Sequence, residues 1–276
     1  MRRVLLLALW VAACVTQEDS TSPLPPQVAR IATWNIEWFS KGGPKPRTTQ
    51  SVRNTAEQML RIRADVWALQ EIDSDGILQD LVKLMPGYAC KLGTIGNQQF
   101  CGIIYNTQRA TLLGWSAKGV EEVALGRQGL RSAPVAYLRI GKFDFYLLPV
   151  HFKAGMSNAR DGMIRLQQAT ALANWLRKKL KSGPEQDYIV AGDFNDVADS
   201  DWLKPLRSGE LLTFVPIASE IKSTETKYQT AVDGIAYTAG TKREIIAKTG
   251  KVWGETAGDS DHLAFSAQFR TGEDDD

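Results

Sequence analysis

The sequence predicts an α/β fold: a single domain in four layers, with two packed mixed β-sheets flanked by helices. Three observations point there. Strand-like and helix-like segments interleave along the chain. No internal repeat and no linker divides it after Pro26. The β-rich block from Tyr88 to Tyr146 is also too long for a simple parallel doubly wound sheet, where a helix must separate successive strands. With 276 residues, 43% of them hydrophobic and 23% charged, the chain can bury a sizeable core.

The elements follow in order. "MRRVLLLALWVAAC" carries two arginines, an apolar run and small residues ending at Cys14, the layout of an export signal. "VAAC" also resembles a bacterial lipobox, in which the cysteine becomes the lipid-modified first residue. The competing reading is an ordinary signal peptide cut a few residues later. The expected boundaries are a signal peptide at 1–13, a polar, Pro-rich tether at 14–27, a domain at 28–270 and a disordered acidic tail at 271–276. The expected location is the bacterial cell envelope, with the membrane held through lipid on Cys14. Beyond the signal, no segment approaches the roughly 18 to 20 consecutive apolar residues of a membrane helix. Loss of Arg2 and Arg3 leaves Lys+Arg equal to Asp+Glu at 31. A neutral chain excludes a protein that coats nucleic acid through gross basic charge, so any phosphate recognition must be local.

"VARIATWNIEWF" reads as a strand, "TTQSVRNTAEQMLRIR" as a helix with a Thr cap, "ADVWALQEI" as a strand and "SDGILQDLVKLM" as a helix capped by Ser74 or Asp75. The runs "YACKL", "FCGIIYN", "ATLLGW", "PVAYLRI" and "KFDFYLLPVHF" are strands. Cys90 and Cys101 flank a short loop, and an exported context favours a disulfide between them over two buried thiols. "ARDGMIRLQQATALANWLRKKLKSG" is an amphipathic helix with Met163, Leu166, Ala169, Leu172, Leu176 and Leu180 at helical spacing. Its basic last turns suit the helix dipole. After the strand "YIVAG" come a short helix around Trp202 and the strands "VDGIAYT", "REIIAKTGKVW" and "LAFSAQF".

Polar residues suited to metal or phosphate stand at the ends of these apolar strands. They are Asn35, Glu71, His151, Asp193 and Asn195, Asp233, and Asp261 with His262. The chain has only two histidines, and both belong to this set. Glu71 and Asp261 offer hard carboxylate oxygens and Asn35 an amide oxygen, a set suited to Mg²⁺ or Mn²⁺. No cluster has zinc spacing. Asp196, next to Asn195, reads as a turn or cap residue.

In order along the chain, "TWNIEWF", "LQE", "HFKAG", "GDFND", "VDGIAY" and "SDH" resemble the endonuclease/exonuclease/phosphatase family. Its members include deoxyribonuclease I, exonuclease III, sphingomyelinases and inositol polyphosphate phosphatases. The resemblance runs from about Val28 to Phe269. It implies that Asn35 and Glu71 bind the metal with Asp261 close by, and that Asp193 orients or deprotonates the attacking water. It also implies that Asn195 holds the water or a phosphate oxygen, and that His262, fixed by Asp233, donates to the scissile phosphate. His151 would match the second histidine of the deoxyribonuclease branch. There a glutamate supports that histidine, where this chain has Gln98 or Gln99. A glutamine orients an imidazole without raising its pKa, which favours phosphate binding by His151 over acid catalysis.

The loops bear on substrate. Arg131 and Lys153 adjoin site strands and are expected to bind substrate. Lys41, Lys45 and Arg47 lie in the loop after the first strand, and Trp38, Trp115 and Trp253 are candidates to stack on bases. The expected function is that of a Mg²⁺-dependent phosphodiesterase, a nuclease acting on DNA or RNA as a monomer with no protein partner. The alternative is a phosphatase or phospholipase C-like hydrolase acting on inositol phosphates or phospholipids. A binding protein on a dead scaffold would have lost one of Glu71, Asp193, Asn195 or His262, and all four are present.

Overall fold

The computed structural model describes residues 24–274, apart from 228 and 257. The expected signal segment and Cys14 lie outside the described residues. Among those described, twelve strands form two six-stranded sheets. The first has the order β11 (Lys251–Trp253), β12 (Ala264–Arg270), β1 (Val28–Phe39), β2 (Val66–Ile72), β4 (Phe100–Asn106), β3 (Tyr88–Leu92). The second runs β5 (Ala110–Val120), β6 (Ala133–Ile140), β7 (Phe143–His151), β8 (Tyr188–Asp193), β10 (Asp233–Tyr237), β9 (Thr213–Phe214). β1–β2 and β7–β8 are parallel and the other pairs antiparallel, so both sheets are mixed.

Ala29, Ile31, Phe145, Leu147, Ile189 and Phe265 fill the gap between the sheets. Helices α1 (Thr49–Ile62) and α2 (Asp75–Lys83) cover the outer face of the first sheet, burying Val52, Met59, Ile77 and Leu81 against Trp34 and Trp67. α1 starts where Thr48 and Ser51 cap each other's backbone N–H, and it ends on Arg63 in the left-handed region. Helices α3 (Ala159–Ser182) and α4 (Lys204–Arg207) cover the second sheet through Ala169, Leu172, Leu176 and Leu206. The expected four layers are all present. No helix among the described residues is long and apolar enough to cross a membrane.

Three details depart from expectation. Cys90 and Cys101 are buried free thiols. Cys90 pairs with Ile104, whereas Cys101 lies beyond Gly102, the partner of Leu92. An offset of three residues is roughly 10 Å along a strand, more than the ~7 Å a disulfide tolerates between Cα atoms. It also turns the two side chains to opposite faces, with Cys90 on the helix side and Cys101 in phase with Ile103 between the sheets. Burial pushes the thiols up, Cys90 to about 11 and Cys101 to about 12. Second, only Lys251–Trp253 of "REIIAKTGKVW" is a strand, and Ile245 makes a lone bridge to Phe269. Third, Met163 is 48% exposed and Arg165 of the same helix is fully buried. At the chain end, Thr271 is buried, its N–H donating to Gln27, and the Asp274 carboxylate accepts from the Asp144 N–H.

Candidate active site

Strand alternation builds the site. On the faces turned to the other sheet, β1 presents Ala29, Ile31, Thr33, Asn35; β7 presents Phe143, Phe145, Leu147, Pro149, His151; and β8 presents Ile189, Ala191, Asp193. On β10 that face carries Asp233 and Ile235. Each strand is apolar in the middle of the sandwich and polar at the same end, because the period of two keeps these residues on one face. Register does the rest. His151 pairs with Asp193 and Asp193 with Asp233, so three functional side chains stand abreast on neighbouring strands. Asn35 meets them across the gap, its Nδ2 donating to Asp193 Oδ2 at 3.1 Å. Gly192 does not end β8 but lies within it, φ 155°, where a Cβ would sit 2.0 Å from the Val150 carbonyl oxygen. Close approach of β7 is what requires glycine there.

Glu71 needs a different device, since simple alternation would send it toward the helices. The ladder shifts register on both sides of it, between Asn35 and Phe39 of β1 and between Leu69 and Ile72 of β2. Glu37, Trp38 and Glu71 all adopt positive φ, 37°, 47° and 63°. Such bulges re-aim side chains at the cost of local strain. Glu71 Oε2 accepts from the Trp38 N–H at 3.0 Å and from Gln99 Nε2 at 2.6 Å, and Oε1 accepts from Asn35 Nδ2 at 3.1 Å. Gln99 thus serves Glu71 and not His151, whose buried Nδ1 has no partner among the described residues. His151 Nε2 lies 3.8 Å from Glu71 Oε1 and 3.6 Å from Asp193 Oδ2.

The electrostatics divide the two histidines. Burial, then the charges of Arg131, His262 and Lys153, hold His151 well below its ordinary pKa, so its imidazole is neutral. Burial would lower His262 too, but Asp233, Asp193 and Asp261 outweigh it and raise the group to about 11. Its Nδ1 is 2.7 Å from Asp233 Oδ2, and its Nε2 is 3.9 Å from both Asp193 Oδ2 and Asp261 Oδ1. Asp193 is pushed up to about 7 by burial first and Asp233 second, against the pull of His262, the Asn195 N–H and Asn35. Asn195 clamps that carboxylate: its N–H donates to Oδ1 at 2.8 Å and its Nδ2 to Oδ2 at 3.0 Å, and Nδ2 also donates to the Phe152 carbonyl. Burial raises Asp261 as well.

Eight predicted residues therefore converge: Asn35, Glu71, His151, Asp193, Asn195, Asp233, Asp261 and His262. Six of them line a cavity of about 590 Å³, Asn35 and Asp233 standing behind the others. Arg131 and Lys153 do not line it. Arg131 is buried beneath the floor on Gln99, and Lys153 donates to the Ala154 carbonyl and pairs with Asp161 at 3.4 Å. The loop cations are also engaged, Lys41 with Asp80, Lys45 with Glu37, and Arg47 with the Ile36 and Glu37 carbonyls. Trp38 lines the cavity, whereas Trp253 is buried with its indole N–H on Ser266.

Sequence reading missed the supports. Ser260 donates to the Asn35 carbonyl and accepts the His262 N–H, and Thr224 Oγ1 accepts the N–H groups of Val232 and Asp233. Asp196 does close a turn on the Val197 N–H, but its other oxygen accepts from buried Arg165 at 2.9 Å. Arg165 also donates to the Lys153 and Gly155 carbonyls, and Gln168 accepts the Lys153 N–H. An Arg and a Gln on the core-facing stripe of α3 were the available signal.

The donor set fits a hard divalent cation. Glu71, Asp193 and Asp261 share one cavity, and burial followed by the charge of Asp233 raises the Asp193 carboxylate. Among the described residues, ligand atoms of Asp193, Asp233 and His262 lie within 4.8 Å of one another. His262 is a poor ligand there because Asp233 holds it as a cation, so the Glu71 side of Asp193 is the better cation site. Asn35 turns its NH₂ to the two carboxylates while its Oδ1 accepts the Glu37 N–H at 3.1 Å. It stands as a donor here, and the amide must turn over before its oxygen meets an ion.

The model of the Endonuclease/Exonuclease/phosphatase family matches residues 32–262, which contain every converging residue. The chain belongs to that family. Endonuclease/exonuclease/phosphatase family members are phosphoric ester hydrolases that depend on divalent metal. Among solved structures, D. rerio TDP2 complexed with a single-strand DNA product is similar over 88% of this chain and 99% of that one, at 19% identity and TM-score 0.70. The human Nocturnin catalytic domain with a bound sulfate anion shares 21% identity over 89% and 95%, TM-score 0.68. An endonuclease/exonuclease/phosphatase from Bacteroides vulgatus shares 18% over 88% and 99%, TM-score 0.67. At these identities the likeness shows the fold. No curated protein sequence matches the chain.

Proposed function

We propose that this family member is an exported phosphodiesterase that hydrolyses DNA or RNA. The observation that carries the reading is Asp193, a buried carboxylate raised to about 7 and held by Asn35 and Asn195 beside the Asp233–His262 pair. A base with a pKa near neutrality suits removal of a proton from water. The attacking water gives its oxygen to phosphorus and a proton to Asp193, and the ester oxygen leaves in line. The amide oxygen of Asn195 positions that water, because both amide hydrogens are committed to Phe152 and Asp193. His262, kept cationic by Asp233, meets the charge on the phosphate oxygens. Neutral His151 contributes a hydrogen bond and no charge. Mg²⁺ or Mn²⁺, held by Glu71 with Asp193 and Asp261 close by, would supply Lewis-acid stabilisation of the phosphate oxygens.

The DNA complex of the D. rerio structure supports a nucleic-acid substrate. One observation favours the second reading, a phosphatase or phospholipase C-like activity on inositol phosphates or phospholipids. The described residues lining the cavity include no lysine or arginine, which limits the grip on flanking phosphates. The purified protein should be incubated with plasmid DNA, single-stranded RNA and bis-p-nitrophenyl phosphate, with Mg²⁺, Mn²⁺ or EDTA. Metal-dependent cutting of nucleic acid is the expected result. Cleavage of the small diester alone would transfer the proposal to the second reading, and activity undiminished by EDTA would end the metal assignment.

We also propose a lipid anchor on Cys14, supported by "VAAC" and the tether that follows. Mass spectrometry of the mature N-terminus should find acylated cysteine. A protein released without detergent and unmodified at Cys14 would overturn it.

A further inference from the structure

We propose that Arg131 and Gln99 form a positioning pair that sets the orientation of Glu71 toward the cation site. The inference rests on the metal-dependent reading above. Arg131 is 7% exposed and lies behind the cavity wall. Its Nε donates to the Gln99 backbone carbonyl at 3.2 Å and its Nη2 to the Gln99 side-chain oxygen. A guanidinium has donors and no acceptor. The amide oxygen of Gln99 must therefore face Arg131, which leaves Nε2 facing Glu71. Without the arginine, the amide is free to turn over and present its oxygen to a carboxylate, a repulsive contact.

The consequence falls on one atom. Glu71 Oε2 is filled by Gln99 Nε2 and the Trp38 N–H. Oε1 is left toward Asn35 and the cavity, 3.8 Å from His151 Nε2, as the oxygen that can take a cation. Glu71 cannot adopt this pose from strand geometry alone, because its backbone is in the left-handed region and its side chain is re-aimed by the bulge. The backbone around Gln99 is shaped for the contact. Ser132 N–H reaches the Ile95 carbonyl, and a Cβ on Gly96 would come within 3.4 Å of Arg131 Cγ and 3.1 Å of the Phe100 ring. In this arrangement the arginine acts on the metal site through the glutamine, without touching substrate.

The test is Mn²⁺ binding by the full chain in detergent, read by calorimetry and by the electron paramagnetic resonance of free Mn²⁺. Gln99→Met and Arg131→Met should each weaken Mn²⁺ about 10-fold or more, the scale of lost support behind a metal ligand. The double variant should be little worse than either single one, since both act through one contact. KM for bis-p-nitrophenyl phosphate at saturating Mn²⁺ should stay within about 2-fold of the parent, a pattern a general loss of packing would not give. Arg131 is buried and its variant is at risk of misfolding; Gln99 is only partly buried, so its variant decides the matter alone if need be. Mn²⁺ affinity unchanged in folded Gln99→Met overturns the proposal. So does a raised KM with unchanged Mn²⁺ affinity in Arg131→Met, which would make the arginine a substrate contact. If the parent itself binds no Mn²⁺, the metal reading fails first and this proposal with it.

Discussion

Asp193→Ala should lower kcat on a phosphodiester by at least about 10²-fold, on the order of 3 kcal/mol of transition-state stabilisation. The carboxylate combines full burial, a pKa near neutrality and contact with both sheets. Alanine removes the proton acceptor and also releases Asn35 and Asn195, which both point amide hydrogens at it. Stability should change little. The variant loses three accepted hydrogen bonds, and it also loses a buried charge that Asp233 repels. Its Tm should remain within about 4 °C of the parent. Turnover within 10-fold of the parent, in protein that melts normally, would remove Asp193 from the chemistry.

The framework around that residue could be read from the chain because two periodicities carry it. Residues such as Ile189, Ala191 and Asp193 share a face by alternation, and a polar residue closing an apolar run marks the end where the sheets open. Both histidines could be placed for the same reason. What stayed hidden depends on distance in sequence. The partner of Gln99 is Glu71, across a bulge that no alternation predicts, because positive φ at Glu37, Trp38 and Glu71 breaks the pattern. The expected disulfide failed on register: Cys90 and Cys101 bracket a loop, yet pairing of Leu92 with Gly102 carries them past each other. Met163 fits the helical stripe on spacing, but the first turns of α3 pack on polar loops and bury Arg165, leaving the methionine outside. Local pattern encodes which face a residue occupies. It does not encode which distant group waits there.

Asp196→Ala should be the most destabilising single change near the site, costing about 3–5 kcal/mol. Arg165 is fully buried, and Asp196 is the carboxylate that its Nε meets, at 2.9 Å. Without that partner the guanidinium keeps, among the described residues, the carbonyl acceptors of Lys153 and Gly155, and its charge stands uncompensated in the interior. The loss should lower Tm by roughly 10 °C. Arg165→Met/Asp196→Ala removes both charges and should recover part of the loss, because a buried pair is costly to break and often cheap to replace. Activity should fall less than in Asp193→Ala. Asp196 touches no cavity atom on the catalytic side, but it links the loop after β8 to the loop after β7 that carries Ala154, Gly155 and Met156 into the cavity wall. Chemical denaturation of the two single variants and the double one measures the coupling. A loss below about 1 kcal/mol in Asp196→Ala would mean that the arginine finds water or another acceptor. The fifth residue of "GDFND" would then be only the turn that it also makes with Val197.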